Sequence, residues 1–157
     1  VGESLVGTGE KAMRAQTLLD GRTVLVGSVF EVEKGANEPP AKPFVVLMPA
    51  YGDDAERTAE AIAGLLIDHG CVEFCCVGPN AEVLHDSIDW VIIGKEAFGL
   101  LTTWHKEDVA GAEYFLLTSG PQKLAMLALV DGYPIADVLP RVDLSVVDPA
   151  DSWIYRR

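Results

Sequence analysis

The sequence predicts an α/β fold: a three-layer, Rossmann-like domain with a mostly parallel sheet of about five strands and helices on both faces. Three observations carry this. Residues 44–48 (FVVLM) are apolar at every position, as a strand buried on both faces must be, whereas a strand with one solvated face alternates. Residues 53–69 carry a helical pattern, and 72–77 (VEFCCV) give a second, nearly unbroken apolar strand. Two strands joined by a crossover helix run parallel and form a βαβ unit.

Each part of that unit has its local reason. Pro49 and Gly52 end the first strand. Asp53 is the expected N-cap, with Glu56 three residues on in capping-box spacing. Acidic residues at 53, 54 and 56 suit the positive end of the helix dipole. Ala59, Ile62, Ala63 and Leu66 fall at i, i+3, i+4 and i+7, one apolar stripe, and Gly70 supplies the stop. Gly78-Pro79-Asn80 then turns the chain.

Ahead of this unit, residues 10–19 have a short helical pattern, and 23–33, rich in β-branched residues, predict a strand. Residues 34–42 read as a loop. Behind the unit, the pattern predicts a short helix over 81–87, strands over 88–93 and 99–104, and a helix over 107–118. A further helix is predicted over 122–130, one turn over 135–139, and an edge strand over 144–147. The gap between the strands predicted at 88–93 and 99–104 is too short for a parallel crossover, so these two are expected to be antiparallel or not adjacent. The 157 residues are expected to make one domain, with its core over 44–131 and peripheral segments at 1–22 and 140–157.

A net charge of −12 argues against binding nucleic acid through phosphates and against an anionic membrane surface. It fits a soluble protein or one that takes a basic protein partner. No run reaches the ~18 apolar residues of a membrane span, and the start lacks the pattern of a signal peptide. Cys71, Cys75 and Cys76 crowd one strand, which reads as small core residues in a reducing cytoplasm, not a disulfide framework. The sequence sets no oligomeric state and implies no cofactor.

Ligands of open α/β sheets bind outside the carboxyl ends of the strands. Three loops are predicted there: 50–54, 78–80 with His85 and Asp86 beyond, and 102–105 (TTWH). Tyr51, Asp53, Asn80 and Trp104 are the expected ligand-binding residues, and His85, Asp86 and His105 the expected catalytic ones. His85 or His105 would move a proton while Asp86 or Asp89 orients the ring. The competing expectation is that His85 caps a helix and Trp104 fills the core. A metal at His85, Asp86, Asp89 and His105 is disfavoured because Asp89 is expected to open a strand. Gly7 and Gly9 lie in a G-x-G-x-x-A match ending at Ala12, a candidate nucleotide-binding turn, with Glu31 placed for a ribose. Only six residues precede Gly7, where the fingerprint needs a full buried strand. No G-x-S-x-G nucleophile elbow occurs.

The middle of the chain resembles a family of small bacterial α/β proteins of unknown function. The likeness rests on Gly70-Cys71, Gly78-Pro79-Asn80, His85-Asp86 with Asp89, and Thr102-Thr103-Trp104-His105, over residues 44–117. It implies one Rossmann-like domain and no particular activity. The leading expectation is a small acidic cytoplasmic binding or interaction protein, of the kind that neutralises a basic partner as immunity proteins do. The alternative is a small-molecule enzyme or ligand binder built on the His, Asp and Trp residues at the strand ends.

Overall fold

The computed structural model describes residues 13–18, 21–35, 38–119 and 124–144. Its strands are β1 (Arg14–Thr17), β2 (Thr23–Val26), β3 (Phe44–Pro49), β4 (Cys71–Val77), β5 (Leu101–His105) and β6 (Ala125–Ala128). Helix α1 is Val29–Lys34. Helix α2 runs as Ala55–Thr58, a π segment Ala59–Ala63, and Gly64–Asp68. Helix α3 is Ala81–Gly94. Helix α4 is Asp108–Glu113, continued by a π segment Tyr114–Ser119. Helix α5 is Ile135–Val138, followed by a 3-10 turn, Leu139–Arg141.

The strands form one six-stranded sheet in the order β1-β2-β6-β3-β4-β5. Only β1 is antiparallel, paired with β2; every other neighbouring pair is parallel. Every residue of β3 is buried. Phe44, Val46 and Met48 point to one face, where they meet Ala59, Ile62 and Leu66 of α2 and Leu84 and Ile88 of α3. Val29 and Val32 of α1 pack against the same cluster. Val45 and Leu47 point to the opposite face and meet Phe115 and Leu116 of α4 and Ile135 of α5. The sheet is therefore covered on both sides, as its unbroken apolar strands require.

Several local expectations are corrected. The strand expected over 23–33 stops at Val26, because Ser28 opens a helix there. The Glu31 amide donates to Ser28 Oγ, the Ser28 amide donates to Glu31 Oε1, and Gly35 at φ 67° ends the helix. The short helix and the strand expected over 81–93 are one helix, α3; Ala81, Leu84, Ile88 and Ile92 form its single buried stripe. With no strand at 88–93, the pair expected to be antiparallel or not adjacent does not exist, and β5 lies parallel to β4. The helix expected over 122–130 is, within the described residues, the strand β6, inserted between β2 and β3. The helix expected over 10–19 is, within the described residues, the strand β1. Leu144 lies in a turn, and the rest of the edge strand expected over 144–147 lies outside the described residues.

The loops at the carboxyl edge are tied together. The Gly78 amide donates to the His105 carbonyl at 3.0 Å, and the Asn80 amide donates to the Ala50 carbonyl at 2.9 Å. Gly78 sits at φ 132°, and a Cβ there would run into the Ala50 carbonyl oxygen. Gly78→Ala is therefore expected to destabilise the fold by about 2 kcal/mol or more, since strain and overpacking act together. Chemical denaturation of wild type and variant measures this.

Candidate functional site

Adjacent strands whose chains leave toward opposite faces open a crevice at their carboxyl ends. Three pairs do so here, β2 with β6, β6 with β3 and β4 with β5, and the last two carry the expected site residues. After β3 the chain passes to α2 on one face, while after β6 it passes to α5 on the other. After β4 it passes to α3, while after β5 it passes to α4.

The first crevice is filled by aromatic rings. The Tyr51 hydroxyl donates to Asp108 Oδ1 at 2.6 Å, and its ring stacks on Tyr133 with centroids 5.3 Å apart. Burial first, then the bond to Asp108, pushes the Tyr51 phenol well above its usual range, so it stays protonated and acts as a donor. Asn80 donates through Nδ2 to the Gly52 carbonyl. Asp53 is exposed in the turn before α2.

The second crevice separates residues that are neighbours in sequence. Successive residues of a strand face opposite ways. Trp104 lies opposite Cys76 on the α3 face and is 40 % exposed, with Lys106 Nζ 5.8 Å from its ring centroid. His105 lies opposite Val77 on the α4 face, tilted against the Tyr114 ring at 4.8 Å. His85 stands on α3, its Nδ1 2.9 Å from Asp86 Oδ1 and its Nε2 3.7 Å from Asp89 Oδ2. The structure thus gathers His85, Asp86 and Asp89 on one helix and leaves His105 across the sheet. The two histidines do not share a pocket. Gly7 and Gly9 lie outside the described residues.

The sequence reading missed the polar cluster around His105. Glu73 is fully buried in β4, and Tyr114 donates to its Oε2 at 2.7 Å. The π segment of α4 begins at that same Tyr114, and such segments recur at functional sites. His105 Nε2 is buried with no hydrogen-bond partner among the described residues. Buried polar groups are costly unless paired, so a carboxylate, a phenol and an imidazole gathered in an apolar layer call for a reason beyond packing. One signal was available: Glu73 is the sole charge in the run CVEFCCV. The cysteines of that run are buried free thiols, with Cys71 pushed up to about 12 chiefly by burial and Cys75 and Cys76 raised likewise. None has the depressed value of a nucleophile. A mainly apolar cavity of about 290 Å³ lies apart from both crevices, beside α1 and the end of α2, lined by Met13, Val32, Leu66 and Leu127 among others.

Fold and site together define a three-layer α/β protein with a buried Glu-Tyr-His cluster on one face and a His-Asp-Asp group on the other. The family described as domain of unknown function DUF7684 matches residues 29–130 of the 157, and the chain belongs to that family. This agrees with the resemblance to an uncharacterised family seen in the sequence. No curated protein and no solved structure matches the chain.

Two outcomes are expected of the buried cluster. Tyr114→Phe removes a donor from a buried carboxylate and should cost about 1–3 kcal/mol of stability. Burial lowers the His105 pKa below 6.5, so on acidification the unfolded chain takes up its proton first. The His105 contribution is therefore intact above about pH 6.5 and is lost as pH falls from there through the lowered folded value. His105→Gln should flatten that slope, read from denaturation midpoints on either side of pH 6.5.

Proposed function

We propose that this chain is a small cytoplasmic binding protein that takes a basic protein partner on the flank formed by α3, the loop after it and β5. The observation that supports this reading is the exposure of large aromatic side chains there. Trp90 is 72 % exposed, Phe98 70 % and Trp104 40 %, with Ile93 also exposed between the first two. Aromatic residues are the usual anchors of protein interfaces, and single exposed ones are ordinary where several on one flank are not. The exposed carboxylates Glu82 and Glu96 lie on the same helix and its following turn. With a net charge of −12, the chain attracts a basic surface and repels an acidic one. No helix among the described residues is long and apolar enough to cross a membrane.

Affinity capture from the native host, at low and at moderate salt, tests the proposal. The expected result is one stoichiometric basic partner, held by the wild type and weakened at least tenfold by the double variant Trp90→Ala, Phe98→Ala, which leaves the core intact. Recovery of no stoichiometric partner at either salt removes the proposal. So does a partner whose retention ignores the double variant.

A further inference from the structure

Helix α3 also carries a group of candidate metal ligands beside its exposed aromatic and apolar side chains. His85 and Asp89 stand one turn apart on the same side, with Asp86 beside them. Each of the three offers a donor atom, and these atoms all lie within 4.8 Å of one another. Asp86 Oδ1 holds the ring at Nδ1, 2.9 Å away. That fixes the direction of the opposite nitrogen, which faces Asp89 Oδ2 at 3.7 Å. This separation is too long for a hydrogen bond. It is close to the roughly 3.0–3.4 Å between two donors that share one ion at about 2.1 Å. A carboxylate on one ring nitrogen with the other nitrogen free to ligate is the usual setting of a metal-bound histidine. The His85 side chain is 22 % exposed and that of Asp89 45 %, so both are held by the helix surface yet open to solvent.

We propose that His85, Asp86 and Asp89 form a site for a divalent transition-metal ion. His85 Nε2 and the Asp89 carboxylate are the ligands, Asp86 is the positioning residue, and water completes the shell. An imidazole-carboxylate set suits Zn²⁺, Co²⁺ or Ni²⁺, whereas Mg²⁺ and Ca²⁺ take all-oxygen shells. His105 has no part in the site, since it lies across the sheet. Asp86 and Asp89 lie one turn from Trp90 and Ile93 on the same helix, but the test of this site needs no partner.

Titration calorimetry of the tag-free chain with Zn²⁺ and with Ni²⁺ tests it directly. One saturable equivalent is expected, not displaced by excess Mg²⁺. His85→Gln should abolish it, Asp89→Asn should weaken it at least tenfold, and Asp86→Asn should weaken it about 10–100-fold. His69→Gln, on α2's far end, should leave it unchanged. In the wild type, Ni²⁺ should broaden the His85 imidazole resonances before those of His69 and His105, a readout that needs no variant to fold. The absence of a saturable equivalent for either ion overturns the proposal. Binding that survives His85→Gln, or broadening that starts at His69, overturns it equally.

Discussion

The parallel pairing of β3 with β4, buried on both faces, is the constraint from which the rest of the molecule follows. Val46 lies opposite Phe74 and Met48 opposite Cys76, and nearly every side chain of the two strands is removed from water. Such a pair satisfies its backbone only through further strands on either side, and its side chains only through a helical layer on each face. Strand β6 supplies the neighbour on one side of β3, and β5 the neighbour of β4. Helices α1 to α3 supply one layer, and α4 with α5 the other. The second layer sits close: a Cβ on Gly111 of α4 would run into Val77 of β4.

That close double covering governs where chemistry can lie. The strand-end loops are bonded to one another, and Tyr51 and Tyr133 occupy the crevice beside β3. Polar groups are therefore sorted by face. Trp104 and His105, adjacent in the chain, belong to different layers because a strand alternates. The Glu73, Tyr114 and His105 cluster sits within one layer, while His85, Asp86 and Asp89 stand on the outer side of a helix in the other. A buried carboxylate beside a phenol and an imidazole specifies one arrangement of α4 against β4 and β5, because any other leaves polar groups without partners. The aromatic flank has the opposite character. Trp90 and Phe98 contribute nothing to the core, and they are the features of this surface that packing does not account for.

What the sequence by itself determined is the set of elements whose burial pattern is self-evident: β3, α2, β4 and the first turns of α4. Their periodicities are unambiguous, since a run apolar at every position fits no half-solvated element. The capping box of α1, Ser28 with Glu31, lies within a run of β-branched residues whose strand propensity masks it. The stripe of α3 was cut at Ile88, which placed Asp89 on a strand, so its spacing of four from His85 carried no helical meaning. Only the tertiary structure decided β6. Residues 125–128 (AMLA) favour a helix by propensity and are too few to show a period, yet the slot between β2 and β3 leaves room only for a strand. The same holds for the site: Glu73 was visible as one charge in an apolar run, but its partners, Tyr114 and the neighbouring His105, come from distant stretches of chain. Sheet order, which no local pattern encodes, brings them together.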